Sequence, residues 1–419
     1  MLGLFLVLAL PVPAEASRYV RYGVQDDAWL AEGPGSLSDR LAELKHLGAD
    51  VYRFTLRWDQ IAPQEPETAG DPNDPAYDWA LADEVVQGLR ANGIVPVLTI
   101  WGTPGWANGD QGPNVAPRSK WALASFARAA ATRYTAEARH WVIWNEPNQR
   151  RWLNPASVRT YTQLLNKAYA AIKLANPAAV VAGGVTAPRG NVGGVNAVDW
   201  IRGMARHGAT LDAYAHHPYP TQPGTETPWS GGCRWCKTIT MADLDRLVQV
   251  VQRHFPRKRI WLTEYGYQTN PPEEFLGVAP ALQALYASAA SLKARQTPYV
   301  DMLIHFLMQD DARPAGWQSG LRTLSGRAKP AYKAFRLPLA QVSRKKLRTV
   351  VWGQVRPRVG EQPYRLQQWR NGRWRWIDKK ARFTDNRGTF TRSVRAESGA
   401  RLRIWSPRDR AYSPALVVR

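Results

Sequence analysis

Eight short apolar runs punctuate the first three quarters of the chain, and stretches whose apolar residues recur at helical spacing separate them. The runs are Tyr22-Gly23-Val24, Val51 to Leu56, Val95 to Ile100, Trp141 to Trp144, Val180 to Gly183, Leu211 to Ala215, Ile260 to Leu262 and Met302 to Phe306. They read as buried strands. Between the first two, Ser38 is placed to cap a helix with Leu41, Leu44 and Leu47 on its apolar face, closed by Gly48. Asp78 is placed to cap the next, whose Ala80, Val85, Val86 and Leu89 run to Gly93. Further helices are expected over about 120–136, 157–175, 196–207, 242–254 and 279–294. Strand–helix alternation repeated eight times predicts a (β/α)8 barrel of the TIM type. An open doubly wound sheet would carry a glycine-rich phosphate loop after its first strand, and none is there.

After Pro338 the texture changes to short alternating segments. Tyr364 to Trp369 and Arg373 to Ile377 flank Asn371-Gly372, a strong hairpin signal. Further strands such as Arg401 to Trp405 are bounded by turn residues. The expected organisation is a leader over residues 1–16, a barrel over 17–339 and a small all-β sandwich over 340–419. The leader reading rests on the apolar run Leu2 to Leu10 followed by Ala14-Glu15-Ala16, a small-x-small cleavage pattern. No basic residue precedes that run, so the charged start of a signal peptide is missing, and a buried first strand is the other reading. The run is too short to span a bilayer. An exported or envelope-associated protein is the expectation.

Composition adds two points. The 419 residues include 19 tryptophans, far above ordinary usage, and 44% are hydrophobic, enough for a sizeable core. The formal charge of +22 is concentrated: from residue 341 onward 21 basic residues face 5 acidic ones, a local +16. That tail carries Trp369, Trp374, Trp376 and Trp405 among its arginines, either as its core or as an outward binding surface for anionic glycan or cell-envelope polymer. Nucleic acid is disfavoured by the expected export and by the lack of any known binding motif. The two cysteines, Cys233 and Cys236, lie in a Pro/Gly-rich loop with no second Cys/His pair, and a local disulfide is expected. No EF-hand, zinc or phosphate-loop pattern implies a cofactor.

The chemistry-bearing strings are Trp144-Asn145-Glu146-Pro147-Asn148 after the fourth run and Thr263-Glu264-Tyr265-Gly266 after the seventh. Carboxyl ends of barrel strands face the mouth where barrel active sites lie. Two carboxylates facing one cavity suit glycosidic cleavage, one protonating the leaving oxygen and one attacking or activating water.

These strings resemble the retaining glycoside hydrolases of clan A, most closely families 39 and 5, including bacterial exopolysaccharide-degrading endoglycosidases. The likeness covers about residues 20–338. It implies Glu146 as general acid/base and Glu264 as nucleophile. It implies Asn145 as the group that binds the sugar 2-hydroxyl and Arg53 as the cation that keeps the nucleophile charged. His217 and Tyr219, in His217-Pro218-Tyr219, match the clan's His-x-Tyr beside the carboxylates. The clan's tryptophan at the end of strand eight is replaced by the stretch His305-Phe306-Leu307, with Phe306 or the later Trp317 as substitutes. Loop aromatics Trp58, Trp101, Trp106, Trp152, Trp229 and Trp235 are candidate sugar platforms, Trp101 and Trp106 the best placed. The expected function is a secreted, endo-acting retaining glycosidase on a polysaccharide. A catalytically inactive glycan-binding envelope protein is the alternative, kept open by the altered strand eight.

Overall fold

The computed structural model describes residues 19–419 except 192, 234, 313–315 and 358–359, so the expected leader lies outside the described residues. Eight parallel strands close into a barrel in chain order: β1 (Arg21–Gln25), β2 (Val51–Arg57), β3 (Val95–Trp101), β4 (His140–Ile143), β5 (Val180–Thr186), β6 (Ala213–His216), β7 (Arg259–Tyr265) and β8 (Val300–Phe306). Each expected run lies in or across one of these strands. The first expected helix spans Leu37–Leu47, but its cap is Ser36 and not Ser38. Ser36 accepts from Asp39 N and Asp39 bonds back, a reciprocal box that satisfies two orphan donors. Gly48 closes it at φ +81°, a left-handed conformation that glycine adopts at little cost.

Two apolar layers result from the alternation along the strands. Val51, Val97, Val142, Ala213, Trp261, Met302 and Ile304 fill the barrel interior. Tyr52, Phe54, Leu98, Trp141, Ile260 and Leu262 point outward against the helices. Polar groups are admitted at the carboxyl ends of the strands, where the interior opens to the mouth. One break in the alternation matters. The register of β7 against β8 shifts between Leu262 and Tyr265. With Trp261 inside and Leu262 outside, strict alternation would send the Glu264 side chain outward. The irregularity turns it into the mouth and leaves Tyr265 with the outer layer.

The tail folds as two antiparallel sheets. One is ordered β14-β10-β9, from β9 (Leu339–Lys345), β10 (Arg348–Gln354) and β14 (Thr389–Arg395). The other is ordered β12-β11-β15-β16, from β11 (Pro363–Arg370), β12 (Arg373–Trp376), β15 (Arg401–Ser406) and β16 (Ala411–Tyr412), with β13 (Arg382–Phe383) and β17 (Leu416–Val417) attached. The expected hairpin forms, with Asn371 at φ +49° and Gly372 at φ +72°. The shared core is Leu339, Val351, Tyr364, Leu366, Phe390, Leu402 and Ile404. Of the tail's tryptophans only Trp352 is buried, so the reading of Trp369, Trp374, Trp376 and Trp405 as that core is overturned. The tail is docked on the barrel. Arg356 is almost fully buried, its guanidinium stacking on Tyr22 at 3.8 Å and donating to the Phe335 carbonyl at 2.7 Å.

Candidate active site

Arg53, on β2 and fully buried, organises the mouth. Its Nε donates to Thr99 Oγ1 (2.8 Å) on β3, and its Nη1 to Gln25 Oε1 (2.7 Å) on β1 and Glu264 Oε1 (2.5 Å) on β7. Its Nη2 donates to Asn145 Oδ1 at 2.8 Å. A buried guanidinium is tolerable only with its donors satisfied and its charge paired, and here both conditions hold. Because arginine only donates, the Asn145 oxygen is the end held by Arg53, leaving the amide N–H groups to a ligand.

Glu264 is held on both oxygens, with Tyr219 Oη donating to Oε2 at 3.1 Å. His217 is fully buried between the two glutamates, its Nδ1 2.9 Å from Glu146 Oε1 and 3.5 Å from Glu264 Oε2. Burial pushes its pKa down to about 3, so the ring is neutral. Its Nε2 faces Arg53 Nη1 at 3.4 Å and must accept, which puts the ring proton on Nδ1 and aims it at Glu146.

Glu146 follows β4 in a segment of left-handed backbone, with Trp144 at φ +73° and Glu146 at φ +37°. Such strain persists only where surrounding contacts over-determine it. Here the indoles of Trp144 (2.8 Å) and Trp101 (3.4 Å) both donate to the Trp152 carbonyl. Asn148 accepts from Ala187 N and donates to the Val195 carbonyl, tying the segment to the loop after β5. Burial raises the Glu146 carboxyl to about 7, against the opposing pull of Arg53, the Trp152 side chain and Arg151.

Ligand-type atoms of Glu146, His217 and Glu264 lie within 4.8 Å of one another. Three such atoms could in principle meet a cation. The Arg53 guanidinium already occupies Glu264, however, and a second positive charge there would be repelled. The arrangement is that of two carboxyl groups in different environments, one ion-paired to Arg53 and one desolvated with its pKa raised, which suits acid/base work on one substrate.

The structure sorts the aromatic candidates. Trp101 and Trp152 meet edge to face at 5.2 Å beside Glu146. Trp317 is 38% exposed and lies 5.0 Å from the Tyr219 ring, with Phe306 completing the cluster at 6.2 Å from both, so both expected substitutes for the strand-eight tryptophan are present. Trp58 is not a platform: it is 1% exposed and packs between Phe126 and Trp106, because the helical turn Trp58–Ile61 carries it under the β3 loop. Trp106 is half-buried over it and donates to the Ala62 carbonyl. Trp229 lies against Lys293 and Trp235 is 95% exposed; no contact between described residues joins either to the carboxylates. Cys233 and Cys236 are disulfide-bonded, and Arg246 donates to both their carbonyls. Gln25 and Thr99, which sequence reasoning missed, are polar residues at the inward phase of apolar strands. That phase is the signal that could have found them.

Residues 20–296 match the model of the family Cellulase (glycosyl hydrolase family 5). The chain belongs to this family. Its members are glycosyl hydrolases. Among curated relatives, raucaffricine-O-beta-D-glucosidase of Rauvolfia serpentina is 29% identical over 106 residues, which span 25% of this chain and 19% of that protein. A 1,4-beta-D-glucan glucohydrolase of Thermotoga neapolitana is 28% identical over 113 residues, 25% and 24% of the two chains. The aligned stretch thus spans about a fifth to a quarter of these relatives. Similar solved structures include a family 39 glycoside hydrolase from Bacteroides cellulosilyticus WH2 (TM-score 0.62, 17% identity, 88% of this chain and 79% of that one). A glucosidase from Croceicoccus marinus has TM-score 0.62 at 13% identity, covering 93% and 96%. At such identities the likeness is of fold. Among the described residues no helix is long and apolar enough to cross a membrane.

Proposed function

We propose that this glycosidase is secreted and cleaves a polysaccharide internally with retention of anomeric configuration. The single observation that carries the mechanism is the close approach of the two carboxyl groups, one oxygen of each lying within 4.8 Å of one oxygen of the other. Retaining enzymes keep these groups about 5–5.5 Å apart, whereas inverting enzymes leave about 6.5–9.5 Å for a water. Glu264 attacks the anomeric carbon as the bond to the leaving oxygen breaks, and Glu146 gives that oxygen its proton. Glu146 then takes a proton from water as the water oxygen attacks the same carbon and Glu264 departs. Arg53 and Tyr219 hold the two oxygens of Glu264 in place, and Asn145 offers its amide N–H to the sugar. Aromatic rings on both sides of the pair, Trp101 and Trp152 by Glu146 and Trp317 by Tyr219, support an extended chain crossing the mouth. Export is supported by the apolar run Leu2 to Leu10 and suits the Cys233–Cys236 disulfide. The intact carboxylate pair tells against the inactive alternative.

A mechanism-based fluorosugar tests the reading: peptide mapping should find the label on Glu264. A label elsewhere, or inverted product, sinks it. Early release of long oligosaccharides supports internal cutting, and monosaccharide alone refutes it.

A further inference from the structure

The sheet β12-β11-β15-β16 turns one face to the core and presents on the other a pattern the core does not use. Tyr364, Leu366, Leu402 and Ile404 face inward. The alternate positions pair across the strands as Arg365 with Trp405, Gln367 with Arg403 and with Trp376, Trp369 with Trp374, and Trp405 with Tyr412. Arg365 stacks on Trp376 at 3.7 Å, and Arg403 on Trp374 at 4.1 Å and on Tyr412 at 3.7 Å. Arg401 caps Trp369 at 5.4 Å. Trp369 and Trp376 are 37% and 41% exposed. The four strands hold six arginines and no carboxylate. Among the described residues, Arg365, Arg401 and Arg403 make no ion pair.

The other sheet of the tail shows that this is not generic surface. Its exposed positions include Ser343, Lys345, Arg348, Thr391, Ser393 and Arg395, basic without any aromatic. Charge is thus spread over both sheets, while exposed rings interleaved with guanidinium groups lie on one.

We propose that this face is a second carbohydrate site, separate from the barrel mouth, that binds an acidic polysaccharide. The flat CH faces of pyranose rings fit the indoles, and uronate carboxylates fit the guanidinium forks, which bind such groups bidentately. Arginines held against rings are pre-ordered, so less freedom is lost on binding. Glycan is favoured over other polyanions because the same chain carries a glycosidase barrel, to which Arg356 docks this tail in fixed orientation. The inference rests on family membership and not on the roles given to Glu146 and Glu264.

The test uses the full chain in affinity gels containing polygalacturonate, with xylan as the neutral comparison. Retardation is expected in polygalacturonate only. The double variant Arg401→Gln with Arg403→Gln, and separately Trp376→Ala, should weaken it about tenfold. Arg348→Gln with Arg395→Gln removes the same charge from the other sheet and should change it less than about twofold. Unchanged hydrolysis of a small aryl glycoside shows that each variant is folded. Equal losses from the two double variants, or none from Trp376→Ala, would reduce the effect to net charge and overturn the site. Stronger binding to xylan, single-stranded DNA or anionic vesicles than to polygalacturonate overturns the choice of ligand.

Discussion

Arg53 in the barrel and Arg403 in the tail sit beside aromatic or carboxylate-rich neighbourhoods on β-strands, yet burial gives them opposite uses. Arg53 is fully buried, and its donors end on Thr99, Gln25, Glu264 and Asn145. Arg403 is half-buried and shares its Nε with Gln367 at 2.8 Å, and it has no carboxylate partner among the described residues. The first is part of the protein's own charge balance and can be removed only with its partner. The second keeps hydrogen-bonding capacity for something outside. Position in the fold thus decides whether an arginine organises a site or is one.

The largest effect that would sharpen this contrast is at the carboxyl that Arg53 does not pair. Glu146→Ala should slow hydrolysis of unactivated glycosides about 10²–10⁴-fold, the usual worth of general acid assistance. Aryl glycosides with good leaving groups should lose far less. Equal losses on both, measured as kcat/KM, would make Glu146 structural. Next in size is stability. Arg53→Met strands the Glu264 charge in the interior and should cost about 3–5 kcal/mol in denaturant unfolding. Arg401→Gln, at the exposed tail face, should fall within about 0.5 kcal/mol of the parent. Similar costs for the two would break the comparison.

The smallest effect concerns pH. With the Glu146 carboxyl raised to about 7 by burial, the protonated acid is lost as pH climbs, so kcat/KM should fall above about 7. The desolvated neutral carboxyl also adds stability that is full below its ordinary 4.5 and is lost as pH rises through about 7. Arg151 lowers this pKa, so Arg151→Gln should move the basic limb to higher pH, by an amount that shrinks with added salt because Arg151 is exposed. A shift to lower pH, or none at low salt, would mean that Arg151 does not act on Glu146.

Periodicity was enough to place the eight strands, because burial between the barrel interior and the helix layer demands apolar runs wherever the strand falls. It was also enough for the Asn371-Gly372 turn, whose positive φ values few other residues accept. The motif strings located Glu146, Glu264, Arg53, His217 and Tyr219, since their chemistry is written in residue type and in position after a strand. Tertiary structure alone decided the rest. That Glu264 faces the mouth depends on a register irregularity in β7, which is a relation between strands and leaves no mark in the local sequence. Trp58 and Trp317 are the same side chain, and only the packing around each makes one a core residue and the other a surface at the mouth. The four outer tryptophans of the tail follow the same rule. The sequence left core and outward surface both open for them, because which face of a sheet is covered depends on what the second sheet brings against it.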